Sequence, residues 1–317
     1  MVMKKNYDPN SLLFQEEILN GELFELNTET SDPEIFYRHP HGELWRGDSC
    51  AWMKTLPAES VDLIFADPPY NIKKADWDDF DSHSDYVNWS VQWIEQAARL
   101  LKPDGTLYVC GFSEILADLK APAMPFFKGV RWIIWHYKNK ANLGSNWGRS
   151  HESILHLRKG RQSTFNIDDV RIPYGNHTLK YPAHPQAESS QYGNGKRREE
   201  TWEPHPNGAK PKDVIEIPTT CNGMNEKTPH PTQKPEELLR KILLASSNIG
   251  DVVLDPFAGS GTTVVCAEQL QRRWLGCDLS PEYLGWAVNR VECAKQHSKE
   301  YWIKFDADNA KRRNSIR

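Results

Sequence analysis

Two short apolar runs, each closed by an aspartate, constrain this chain more than any other feature. Val61-Asp62-Leu63-Ile64-Phe65-Ala66 leads into Asp67-Pro68-Pro69-Tyr70, and Val252-Val253-Leu254 leads into Asp255-Pro256-Phe257-Ala258-Gly259-Ser260-Gly261-Thr262-Thr263. Runs this short and this apolar suit strands buried on both faces, as in a parallel sheet. A polar turn directly after such a strand lies at the carboxyl edge of the sheet, where open α/β folds bind their ligands. The texture around the first run agrees: strand-like stretches at Glu43 to Trp45 and Thr106 to Cys110 flank it, with a helix from Tyr86 to Leu101 between. That helix is predicted from Trp89, Trp93, Ala97 and Leu100, three and four apart, with Lys102-Pro103-Asp104-Gly105 as the stop. Strands alternating with helices predict βαβ units.

Further strand-like runs are Val130 to Trp135 and Ser153 to Leu157, separated by a glycine- and asparagine-containing loop, Lys138 to Arg149. The α/β texture returns with a helix from Pro235 to Ser247, a strand Asp251 to Leu254, a helix after Gly261, a strand Arg273 to Cys277 and a helix after Pro281. The expected organisation is therefore an N-terminal extension without periodicity (1–42), one half of an α/β domain (43–157), an insertion (158–224), the other half (225–297) and a tail (298–317). Seven prolines between Arg158 and Met224 break any long element there, while Tyr174, Tyr192, Trp202 and Val214-Ile215-Glu216-Ile217 offer apolar anchors to a partly ordered lobe.

At 317 residues, 38% of them hydrophobic, the chain can bury a sizeable core. The first thirty positions hold no apolar stretch of signal or membrane-span length, so a cytoplasmic protein without a membrane partner is expected. Six cysteines, no two closer than eleven residues, form neither a zinc ribbon nor a C-x-x-C pair; reduced thiols and no metal are expected. The net charge of −4 hides an asymmetry, because 15 Lys or Arg against 8 Asp or Glu between Lys128 and Asp213 make that segment +7 and the remainder −11. A single basic segment suits phosphate contacts on one side of the molecule, although a solvated loop lobe would have the same composition.

Asp67-Pro68-Pro69-Tyr70 offers a carboxylate, a carbonyl on Pro68 held by a stiff turn through Pro69, and an aromatic face on Tyr70. Those groups suit an exocyclic aromatic amine: its lone pair is delocalised until two acceptors take its hydrogens. A plain strand-ending turn would use the same residue types. The second motif reads as strand, tight glycine turn and helix start, which permits close backbone approach to a ligand. No Lys follows Gly261, so the loop is not a phosphate-cradling Walker loop, and Val264 stands where a dinucleotide loop would have its third glycine. Asp278, nineteen residues after Gly259 and at the end of the next strand, is placed to take ribose hydroxyls. A nucleoside cofactor without a pyrophosphate fits this set best.

Arg46-Gly47-Asp48, Asp67 to Tyr70, His230-Pro231-Thr232-Gln233-Lys234-Pro235, Asp255 to Thr263 and Gly276-Cys277-Asp278 together resemble the beta class of DNA amino-methyltransferases, over about Glu43 to Val291. The order of motifs, catalytic before cofactor loop, is that class's circular permutation. The resemblance implies a Rossmann-like methyltransferase fold with an inserted target-recognition lobe, binding S-adenosylmethionine and double-stranded DNA with a flipped base. It implies Asp48 near the cofactor adenine, Asp278 on its ribose, His230 and Lys234 near its methionine end, and Asp67, Asp255, Phe257, Ala258, Gly259, Ser260, Gly261 and Thr262 around it. Asp67, Pro68, Pro69 and Tyr70 would be the catalytic set, with Trp77, Asp78 and Asp79 in a loop closing over the base. Lys196, Arg197 and Arg198 would contact phosphates, and His151-Glu152 would give structural support. Adenine N6 is the expected target, since Asp in the first motif position goes mostly with adenine; cytosine N4 is the alternative, ahead of an RNA or protein substrate or a silent DNA-binding regulator. A homodimer and a cognate restriction endonuclease are compatible partners that the sequence does not count.

Overall fold

The computed structural model describes residues 32–72, 80–139, 145–181, 184–185 and 201–315. Its strands are β1 (Glu34–His39), β2 (Gly42–Arg46), β3 (Val61–Ala66), β4 (Leu101–Gly111), β5 (Gly129–His136), β6 (His151–Arg158), β7 (His184–Pro185), β8 (Thr201–Trp202), β9 (Val214–Glu216), β10 (Val252–Asp255) and β11 (Arg273–Asp278). Among the described residues they form one nine-stranded sheet, in the order β1-β2-β11-β10-β3-β4-β6-β5-β9, and a separate β7-β8 pair. Strands β2, β11, β10, β3 and β4 run parallel, so their carboxyl ends share one edge. The chain leaves β3 toward β4 on one side and reaches β10 and β11 on the other, which makes the β3–β10 boundary the switch point of the sheet.

Burial on both faces explains the apolar runs. Leu63 and Phe65 of β3 join Val264, Leu239 and Leu284 on one face, under helices Glu236–Ser246, Thr262–Gln269 and Pro281–Glu292. Ile64 and Ala66 join Trp52, Trp93 and Leu116 on the other, under helices Ser49–Thr55, His83–Leu100 and Ser113–Ala123. Helix His83–Leu100 starts three residues before the expected Tyr86, because the Ser82 side chain caps the Asp85 amide at 3.1 Å. The Lys102 to Gly105 stop lies inside β4 rather than before it. Leu101 already pairs with Val61, and the register shifts before Leu63 meets Thr106, so Pro103, which has no amide to give a ladder, sits in the irregularity.

Several elements fall where the sequence shows no period. Strand β1 lies in the stretch read as an extension; as an edge strand it alternates exposed and half-buried residues and has no fully buried one to announce it. Helix Lys299–Ser315 occupies the stretch read as a tail, and helices Ser49–Thr55 and Ser113–Ala123 are likewise additional. The proline-rich segment is tied to the sheet by β9, which pairs in parallel with β5, and by Val170 and Ile217, both buried in the main core. Of its expected anchors, Val214 is exposed, whereas Tyr192 lies outside the described residues. No described helix is long and apolar enough to cross a membrane, and the six cysteines carry free thiols.

Candidate active site

Four adjacent parallel strands each deliver an aspartate to the same edge: Asp48 beyond β2, Asp278 ending β11, Asp255 ending β10 and Asp67 beyond β3. All four line one cavity of about 280 Å³. His230, Lys234, Phe257, Ala258, Gly259, Ser260 and Thr262 line it too, so the structure brings together almost every residue singled out for the cofactor; Gly261 is not among the lining residues. Of the Asp67 to Tyr70 motif, Asp67 and Pro69 face the cavity and Pro68 is buried beside it. Lys196, Arg197 and Arg198, and Trp77, Asp78 and Asp79, lie outside the described residues.

The turn between β10 and the following helix is built for close approach. Gly259 and Gly261 have φ of +50° and +77°, in the left-handed region that side chains disfavour. A Cβ on Gly261 would lie 2.6 Å from the Ala287 Cβ, so the turn packs directly on helix Pro281–Glu292. Asp278 fixes the turn from the side, accepting the Gly259 amide at 2.8 Å and the Ser280 amide at 2.9 Å. Burial nevertheless raises the Asp278 carboxyl to about 6, and raises Asp255 to about 7 although the Phe257 amide donates to it at 3.0 Å. Asp48 caps helix Ser49–Thr55 by accepting the Ala51 amide at 2.7 Å, which holds its carboxylate at the cavity wall.

At the other end of the cavity Asp67 is held by two donors: Lys234 Nζ lies 2.5 Å from its Oδ2 and the Tyr70 hydroxyl 2.6 Å from its Oδ1. Burial alone would lower the Lys234 pKa, but the charges of Asp67 and Glu152 outweigh it and hold the ammonium above the ordinary lysine value. The same burial pushes Asp67 up against the Lys234 charge. With N–O contact at 2.5 Å and a second carboxylate 3.5 Å from the ammonium, the ionised pair is the state favoured here. The Tyr70 ring packs edge-on to Phe112 at 4.9 Å, and its hydroxyl also lies 3.2 Å from Glu152 Oε2. Two carboxylates around one ammonium leave this buried cluster with a formal charge of −1, suited to groups that donate hydrogen bonds.

Three contributors went unread. Glu152, given only structural support, is buried in β6 and belongs to the Asp67 cluster, because β6 pairs with β4 and turns the residue toward β3. Buried Arg290 donates to the Ser260 carbonyl at 2.8 Å and to Thr262 Oγ1 at 3.0 Å, bracing the glycine turn, and is itself held by Glu236 at 3.0 Å. Trp89 lines the cavity and packs on Phe257 at 5.7 Å; its place in the helical period was legible, its role was not.

A DNA methylase family model matches residues 61–289. The type II methyltransferase M1.MboII of Moraxella bovis is 38% identical over 252 residues, 74% of this chain and 91% of that protein. The DNA adenine methyltransferase YhdJ of Escherichia coli (strain K12) is 34% identical over 262 residues, 80% of this chain and 84% of that one. Among solved structures, the PvuII DNA methyltransferase (cytosine-N4-specific) superposes with a TM-score of 0.62 at 17% identity, covering 88% of this chain and 95% of its own. The M1.HpyAVI–SAM complex superposes with a TM-score of 0.54 at 22% identity, covering 79% and 98%. At such identities the structural likeness speaks for the fold, a Rossmann-like methyltransferase sheet.

Proposed function

Because the chain belongs to the N6/N4 DNA methylase family, we propose that it transfers a methyl group from S-adenosylmethionine to the exocyclic N6 of adenine in duplex DNA. The observation that carries this reading is the meeting of Asp67 and the Gly259–Gly261 turn in one cavity, a hydrogen-bond acceptor cluster at one end and a nucleoside-sized cradle at the other. The adenine choice is supported by Asp in the first position of the motif and by the 34% identity to a protein named a DNA adenine methyltransferase.

The residues present fit the cofactor. A Cβ at Gly259 would crowd His230 across the cavity wall, Asp278 and Asp48 supply acceptors on one side, and Phe257 and Trp89 supply apolar surface. When bound, S-adenosylmethionine supplies a methyl electrophile whose sulfonium leaves as a neutral thioether. Asp278 would accept the ribose hydroxyls, Asp48 would face the adenine, and Lys234 with His230 would lie toward the methionine end. Asp67 would accept one hydrogen of the target amine and the Pro68 carbonyl the other, pulling the nitrogen toward a tetrahedral geometry in which its lone pair is available. Lys234 and Tyr70 keep Asp67 oriented, so the acceptor is in place before the base arrives. A base inside a duplex cannot reach this edge, hence extrusion of the target nucleotide.

Incubating the purified protein with unmethylated DNA and methyl-labelled S-adenosylmethionine, then resolving nucleosides by mass spectrometry, tests the reading. Labelled N6-methyladenine is expected. N4-methylcytosine would overturn the choice of base, and unlabelled DNA with intact cofactor binding would overturn DNA as the substrate.

A further inference from the structure

On the edge of the sheet opposite the cavity, a second cluster gathers around the β1–β2 turn. His39 ends β1, His41 sits in the turn, and Glu268 lies near the end of helix Thr262–Gln269; one ligand atom from each comes within 4.8 Å of the others. His41 Nδ1 is 2.9 Å from Glu268 Oε1, and His39 Nδ1 is 3.6 Å from Oε2. A tetrahedral ion with bonds of about 2.0–2.2 Å sets its ligands roughly 3.3–3.5 Å apart, a separation that these two distances bracket. The His41 amide lies 3.3 Å from His39 Nδ1, a contact that a bound ion would replace.

The surroundings are those of a supported ligand set. Trp274 Nε1 donates to Glu268 Oε2 at 2.9 Å, and Gln296 Nε2 donates to Oε1 at 2.7 Å while lying 3.1 Å from His41 Nδ1, so both side chains orient the carboxylate. The His39 ring is stacked on Trp274 at 5.6 Å and so has a set plane. Exposure rises from 6% for the Glu268 side chain through 17% for His39 to 46% for His41, leaving one side open for an ion to enter and for water as a fourth ligand.

We propose that His39, His41 and Glu268 form a zinc site, a staple that ties the β1–β2 turn to helix Thr262–Gln269. Two imidazoles and one carboxylate select a transition ion of zinc's kind over magnesium or calcium. The site stands apart from the methyl-transfer chemistry and does not depend on that assignment.

The full chain, stripped with a chelator and dialysed free of it, is titrated with zinc chloride by calorimetry and followed by thermal unfolding. Cys221→Ser and Cys293→Ser form the background, because those two thiols are exposed and would bind zinc on their own. One zinc per chain is expected, with a raised thermal midpoint that magnesium does not reproduce. His39→Ala and His41→Ala should each weaken zinc at least about tenfold while S-adenosylmethionine binding, at the other edge, is unchanged. If either alanine variant fails to fold, Glu268→Gln keeps the volume and removes the charge, with the same loss expected. Cobalt(II) in place of zinc should give the intense visible bands of a tetrahedral site without thiolate charge transfer. Absence of stoichiometric zinc, or zinc binding undiminished in folded variants at these three positions, overturns the proposal.

Discussion

Asp67 and Asp278 set the two ends of the cavity, and each supports its own expectation. In the proposed arrangement Asp67 chiefly holds the target amine, so Asp67→Ala should lower turnover by about 10²-fold or more and leave S-adenosylmethionine binding measurable by calorimetry. Retained turnover would remove Asp67 from the chemistry. Asp278 has a carboxyl raised from 3.8 to about 6 by burial, against the amides that donate to it. An ionised carboxylate is the better acceptor for ribose hydroxyls, so cofactor binding should release a proton, and affinity should fall as pH drops through about 6, by up to tenfold per unit. Folding raises this pKa, so Asp278 favours the native state at low pH and disfavours it as pH climbs from about 4 to about 6. Weaker binding at pH 5 is therefore not unfolding through this group. Asp278→Asn should flatten the affinity profile, measured by calorimetry between pH 5 and 8; an unchanged profile would place the titration elsewhere. Asp67 and Asp278 were legible because each follows an apolar run. Glu152 and Arg290 were not: their partners stand 42 to 82 and 28 to 54 residues away in sequence, and only pairing of β4 with β6 and packing of helix Pro281–Glu292 bring them in.

Elements were legible in proportion to how much of their own side chains they bury. Strands β3 and β10 bury residues on both faces and their bounds were read almost to the residue. Helix Lys299–Ser315 buries little besides Trp302. Its attachment is instead electrostatic: Asp306 accepts Arg240 Nε at 3.0 Å and Nη2 at 2.6 Å, a two-point contact, while the Arg240 guanidinium lies 4.7 Å over the Trp302 ring. No periodicity records such an anchor. Arg240 is almost fully buried and its other donors already serve Glu236 and Gln269, at 2.9 Å each. Asp306→Ala would thus strand half a buried cation, at a cost of about 3 kcal/mol, lowering the thermal midpoint by roughly 4–5 °C. Asp306→Asn, which keeps one acceptor, should cost less. Equal midpoints for wild type and Asp306→Ala would show that Trp302 and the Lys299–Asp169 and Arg313–Glu237 ion pairs hold the helix without the Arg240 contact.

At the scale of the whole molecule the charge divides the chain, +7 between Lys128 and Asp213 and −11 elsewhere, and that division bears on how a duplex is held. Part of the positive charge is used internally: Lys138 is bonded to Glu216, Arg149 to Glu114 and Arg171 to Asp168, each at 2.6 Å. Cations committed in this way are poorly placed for phosphate contacts, and Lys196-Arg197-Arg198, outside the described residues, is the densest basic run in the segment. Each phosphate neutralised releases counterions and contributes about 0.9 to the slope of log K against log salt. Replacing all three by Ala should make that slope shallower by about 2.7, weaken DNA binding similarly for every sequence, and leave S-adenosylmethionine affinity alone. Lys138→Ala should change the slope little, since it removes a charge already balanced by Glu216. Binding by fluorescence anisotropy over a salt series separates the outcomes. A slope unaltered by the triple substitution would mean that the run faces away from the duplex, and that the basic segment attracts DNA through its other lysines and arginines.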